Sequence, residues 1–160
     1  MIPVRRLLLA LAAATTLGAC GGNSLDGSLS EAFDLSFAEV LVRRSEKAVQ
    51  VTYLRSEGRE VVIRMTVAIE GVDVSHAGSI NLAQEYAPGH PRAAVSRAVD
   101  NEPVRQLPAV VQGDLTLDGP PHPGETVSGS FSVRFGEGGD LGSGRTLTGS
   151  FSGTVQGTDG

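Results

Sequence analysis

The chain has 160 residues, with 21 Gly, 8 Pro, one Cys, no Trp and a formal charge of −5. That length allows one ordinary domain, and 40 % apolar residues suffice for a core. An acidic balance argues against a nucleic-acid partner, and one cysteine makes neither an internal disulfide nor a cysteine-based zinc site.

The first twenty residues read as an address. Arg5 and Arg6 give a positive start, and residues 7–16 form an uncharged, mostly apolar run. Leu17, Gly18 and Ala19 then lead to Cys20. This order is that of a secretory signal peptide, and the run is too short for a membrane-spanning helix. Leu17-Gly18-Ala19-Cys20 resembles the lipobox of bacterial lipoproteins, with an aliphatic residue three before the cysteine and small residues between. The resemblance covers 20 of the 160 residues. It implies cleavage before Cys20, a diacylglyceryl thioether on its sulfur and acylation of its new amino group. Two or three acyl chains on one residue anchor stably, where one holds only marginally. Gly21 stands where Asp commonly signals inner-membrane retention, which favours the outer membrane.

On this reading residues 1–19 are the signal peptide, residues 20–30 the lipidated cysteine with a flexible tether, and residues 31–160 the folded domain. Removing residues 1–19 deletes two arginines, so the basic count falls from 13 to 13 − 2 = 11 against 18 acidic groups, a formal −7. The remaining basic residues are expected on a solvated surface. Gly21 and the small polar residues after it suggest a tether spanning roughly 17 Å.

From Phe33 the dominant period is two. Phe33, Leu35 and Phe37 alternate, and Val40 and Val42 continue in the other phase, which predicts a bend near Ala38. Val49, Val51 and Tyr53 alternate next. Val61, Ile63, Met65, Val67 and Ile69 form the longest regular stripe. Ser56 to Arg59 between these runs predicts a hairpin turn. Residues 71–76 suggest a short strand, Ile80 and Leu82 another, and Ala87 to Pro91 a loop. Residues 92–99 read as a strand on Val95 and Val99, with a short helix as the alternative. Leu115 and Leu117 point inward from a strand, and the Gly-Pro-rich stretch from Gly119 to Gly124 predicts a turn.

The last third repeats itself. Thr126-Val127-Ser128-Gly129-Ser130-Phe131-Ser132 returns 20 residues later as Thr146-Leu147-Thr148-Gly149-Ser150-Phe151-Ser152. One face of each copy is apolar-Gly-Phe and the other is hydroxyl-bearing, which predicts two antiparallel strands of a hairpin. Short strands with frequent Gly and Pro turns indicate an all-β fold. A single-domain antiparallel β-sandwich is expected, with a small β-barrel as the alternative.

Catalytic motifs are not evident. Phe151 occupies the place of the nucleophilic serine in a G-x-S-x-G frame, and no phosphate-binding loop is present. His76, His90 and His122 have no metal-ligand spacing, although Asp73 or Glu85 could meet them in space. No catalytic residue, metal site or cofactor is assigned. Glu137 and Asp140 offer oxygen ligands for a weak calcium site, with a plain hairpin loop as the simpler reading. Tyr86 and His90 make the chemically most varied loop and mark a partner-contact candidate. The expected function is a membrane-anchored envelope lipoprotein that binds another envelope protein or acts structurally. A small-ligand carrier and an envelope hydrolase using scattered histidines and carboxylates are the alternatives.

Overall fold

The computed structural model describes residues 22–55, 60–139 and 141–158. Residues 1–21, including Leu17, Gly18, Ala19 and Cys20 of the expected signal segment, residues 56–59 where a hairpin turn is expected, and Asp140 therefore lie outside the described residues.

The fold is all-β. Among the described residues the strands are β1 (Ser24–Asp26), β2 (Glu39–Arg44), β3 (Ala48–Leu54), β4 (Val61–Ala68), β5 (Gly78–Asn81), β6 (Glu85–Ala87), β7 (His90–Pro91), β8 (Ala93–Ala98), β9 (Arg105–Gln106), β10 (Val110–Leu117), β11 (Thr126–Phe135) and β12 (Thr146–Gly157). Ten of them make one curled sheet in the order β5-β10-β11-β12-β2-β3-β4-β8-β9, with β1 also on β12. The twelve-residue β12 is the hinge of this arrangement. Its first part pairs with β11 and β1, and its last residues pair with β2. Two lobes thus share one strand and enclose one core, which joins the sandwich and barrel architectures in a single sheet.

Period-two patterning accounts for the core. Val49, Val51 and Tyr53 of β3 and Ile63, Met65 and Val67 of β4 are at most 1 % exposed. Leu115, Leu117, Val127, Phe131, Val133, Phe135, Leu147, Phe151 and Val155 face them from the other lobe. Each such side chain stabilises the fold by roughly 1.5–3 kcal/mol through burial. The duplicated segments pair antiparallel, with Val127, Gly129 and Phe131 inward on one strand and Leu147, Gly149 and Phe151 on the other. Residues 92–99 hold a strand, not a helix, with Ala93, Val95 and Arg97 on its buried phase.

Several expectations are corrected. The sheet is not wholly antiparallel, because β12 runs parallel to β2 at Val155↔Val42. Phe33, Leu35 and Phe37 do not form a strand. Phe33 and Leu35 are buried from an irregular segment after a single 3-10 turn, so their alternation reflects packing without ladder pairing. Residues 71–76 form turns with no strand. Ala87 to Pro91 is more ordered than a loop. It closes the β6–β7 ribbon through Pro88-Gly89, with Gly89 at φ 75°, as a type II turn requires.

The tether also changes character. Residues 24–26 are a strand on β12, and Ser28–Glu31 form the 3-10 turn that buries Leu29 completely. Gly27 makes the passage between them at φ 125°, where an added Cβ would meet the backbone of Thr146 and Leu147. Small polar residues suggest flexibility in sequence. Here Ser24 and Ser28 instead spend their hydroxyls on Ser150 and Thr146 of β12.

Candidate functional site

At the end of the sheet where β3 finishes and β4 begins, a guanidinium enters the core. The inward phase of β8 carries Ala93, Val95 and then Arg97, which is only 1 % exposed. Arg97 Nε donates to Glu102 Oε2 at 2.8 Å, and Nη2 donates to Glu102 Oε1 at 3.0 Å. Nη1 donates to the carbonyls of Asp34 and Val62, each at 3.2 Å. Val62 sits in a bulge, without a partner in the register on either side, which makes its carbonyl available. The guanidinium lies 5.0 Å from the Phe33 ring centroid. Buried charge is tolerated because these partners replace water.

Further charges surround the pair. Arg55 meets Glu60 and Asp34 at 3.3 Å each. The Arg97 hydrogen bonds hold the Glu102 carboxyl below its ordinary range, with added attraction from Arg97, Arg105 and Arg55. Asp34 is lowered chiefly by hydrogen bonds from Ser36. With positive and negative groups interleaved, this cluster staples the segments 33–35 and 102–105 to the sheet end.

Outside the staple lies a groove of about 260 Å³ lined by Phe33, Val104, Arg105, Leu107, Pro108 and Leu141, among others. The Arg105 guanidinium stands 5.8 Å from the same Phe33 ring. Val104 is 78 % exposed and Leu141 39 %. The groove sets the exposed Val104 and Leu141 among a mostly polar lining that includes Arg105 and Gln106.

The residues singled out from sequence fall elsewhere. Tyr86 and His90 are brought together on the β6–β7 ribbon, with ring centroids 5.6 Å apart, and both are exposed. Gly89 N donates to Glu85 Oε2 and tightens that ribbon. Glu137 is engaged by a local hydroxyl: Ser143 Oγ donates to it at 2.7 Å. Its proposed calcium companion, Asp140, lies outside the described residues. The histidines do not converge. His76 contacts Ser75 and Asp73, whereas His122 lines an open cleft of about 580 Å³ with Arg44, Ser45 and Thr158.

The Asp73, Ser75 and His76 contacts have the residue types of a hydrolytic triad but not its geometry. Ser75 Oγ donates to Asp73 and lies 2.7 Å from His76 Nδ1, while Asp73 also faces that same nitrogen at 3.6 Å. A triad places serine and carboxylate on opposite ring nitrogens. Hydrogen bonds from Ser75 lower the Asp73 carboxyl, as in any Asx turn. The side chains of Asp73 and His76 are more than 70 % exposed, so water competes for every contact. No group of three or more metal-ligating side chains occurs among the described residues.

Sequence reading placed the basic residues on a solvated surface. Arg97 and Arg92 overturn this, being 1 % and 7 % exposed. Arg92 Nη1 donates to the carbonyls of Ala68 and Glu70. The signal was present for Arg97, which continues the two-residue spacing of Ala93 and Val95. Val104 gave no such signal, since its exposure depends on where the chain turns after Glu102.

No family model, curated protein or solved structure matches this chain.

Proposed function

We propose that the chain is a lipid-anchored lipoprotein of the bacterial envelope whose β-domain binds another envelope protein. The ordered signal Arg5-Arg6, apolar run and Leu17-Gly18-Ala19-Cys20 supports the anchor, and Gly21 supports the outer membrane. The observation that carries the binding role is Val104, left 78 % exposed beside a groove that also holds the exposed Leu141 and the Arg105 guanidinium, on a domain whose other large aliphatics are mostly packed. A ligand carrier is less well supported, because Tyr53, Met65, Leu115, Phe135 and Leu147 fill the space between the lobes. A hydrolase is less well supported, because His76, His90 and His122 stand in three separate surroundings.

Crosslinked co-purification from membranes tests the reading. Wild type, Cys20→Ala, Val104→Asp and Tyr86→Ala are compared by mass spectrometry. One envelope protein captured in stoichiometric amount, and lost with Val104→Asp, is the expected result. Loss with Tyr86→Ala alone would move the contact to the β6–β7 ribbon. Capture of no protein by the wild type would overturn the binding role, and undiminished membrane association of Cys20→Ala would overturn the anchor.

A further inference from the structure

The segment that enters the domain from Cys20 is tied down almost at once. The Gly22 carbonyl accepts Ser150 Oγ at 2.8 Å, and Asn23 Oδ1 accepts Ser152 N at 2.7 Å. Ser24, Leu25 and Asp26 then pair with Ser150, Gly149 and Thr148. Leu29 locks the segment by entering the core. Only Gly21 separates Cys20 from Gly22, and two residues of fully extended chain reach about 7 Å. That distance is well under the roughly 17 Å available to ten flexible residues.

Gly22 lies against the outward side of β11 and β12, in a shallow cleft with Asp118, Ser128, Ser130 and Ser150. The outward positions nearby are Ser128, Ser130, Ser132, Thr148, Ser150 and Ser152, which carry hydroxyls, and the exposed carboxylates Asp26, Asp114 and Asp118 flank them on the neighbouring strands. The processed chain is acidic overall, at a formal −7 by the count above, and a leaflet rich in anionic lipid repels acidic surface. The anchor must hold this face at such a leaflet against the repulsion of Asp26, Asp114 and Asp118, while its hydroxyls can both donate to phosphate and accept from headgroup amines.

We propose that the anchor holds the domain directly against the phospholipid headgroups, with the outward face of β11–β12 toward them. This rests on the lipid-anchor reading above. The short strap, not the composition of the face, fixes which side approaches the bilayer. A partner reached by this domain must then lie at the membrane surface, because no spacer lets the domain extend away from it.

The test uses the lipidated full chain in vesicles of phosphatidylethanolamine and phosphatidylglycerol. A fluorophore is attached at Ser130→Cys or at Ala94→Cys, an exposed position on the outward side of β8 in the other lobe. Quenching by a headgroup-attached nitroxide is expected to be several-fold stronger at position 130 than at 94. Inserting ten Gly/Ser residues after Gly21 should bring the two signals together. Equal quenching without the insertion, in protein that floats with the vesicles, would overturn the apposition and leave the anchor standing. Failure to float, or equal flotation of Cys20→Ser, would overturn the anchor and the apposition with it.

Discussion

Phe131 stands directly across the ladder from Gly149, and its ring occupies the space that a side chain at Gly149 would need. The reciprocal pair, Phe151 against Gly129, follows from the same register. The duplicated Gly-Ser-Phe unit is therefore a packing device. Antiparallel pairing of two copies lays each ring over the glycine of the other. Tyr53 completes the layer, with its ring edge-on to Phe131 and Phe37 and its hydroxyl donating to the Ser150 carbonyl at 2.9 Å.

Gly149→Ala should accordingly destabilise the domain. Its Cβ would fall 2.5 Å from the Phe131 ring and 2.8 Å from Tyr53 Oη. Overpacking of this kind costs about 1–3 kcal/mol. Gly129→Ala should behave alike, since its Cβ meets Phe151 and the Thr116 carbonyl. Urea unfolding measures both, and a second substitution, Phe131→Leu, should recover part of the loss in Gly149→Ala. No loss in either glycine variant would refute this account of the repeat.

Arg97 and Glu102 predict an acid-sensitive staple. Hydrogen bonds from Arg97 depress the Glu102 carboxyl below 4.5, so the folded state binds its proton more weakly than the unfolded chain does. The stabilisation is fully present above about pH 4.5 and is lost as pH falls through the depressed value. Glu102→Gln should lower stability at pH 7 and flatten this acid limb. Glu102→Ala should cost about 2–3 kcal/mol. This is below the range for fully buried pairs, because the Glu102 side chain is 35 % exposed and water replaces part of the contact. Stability curves from pH 3 to 7 would show unchanged slopes if the pair were inert.

Tyr53 predicts the opposite limb. Burial pushes its phenol well above the ordinary value of 10.0, so the folded state holds the proton that the unfolded chain releases. Its contribution is complete below about pH 10 and falls as pH rises beyond it. Ultraviolet titration in a Tyr86→Phe background isolates this group, because the chain has two tyrosines. Ionisation near pH 10 in folded protein would contradict the buried hydrogen bond. Tyr53→Phe should cost about 1–2 kcal/mol by removing the hydrogen bond to the Ser150 carbonyl.

The strap before β2 should behave as part of the domain. Leu29 has no exposed surface, and Leu29→Ala should cost about 2–5 kcal/mol, as for other buried leucines. A flexible tether would give no change. Asp26→Ala in the strap is a milder probe, because among the described residues its carboxylate accepts only the neighbouring Gly27 N–H, at 2.7 Å. Thermal unfolding of the two variants separates core packing from a local turn.

The sequence by itself determined the periodic core. Alternation from Val61 to Ile69 and the two Gly-Ser-Phe copies specify faces because strand side chains alternate, whatever the sheet order. It also carried a segment resembling a lipobox, Leu17 to Cys20, which is a local pattern. Tertiary structure decided what local pattern cannot express. Phe33 and Leu35 alternate yet make no ladder, since burial and hydrogen bonding are separate demands. The parallel pairing of β12 with β2 joins residues more than a hundred positions apart. Arg97 became a buried staple only because Glu102, Asp34 and the unpaired Val62 carbonyl converge on it. Residues 24–31 look like a linker until β12 supplies an edge, and hydrogen-bonding partners then turn small polar residues into structure.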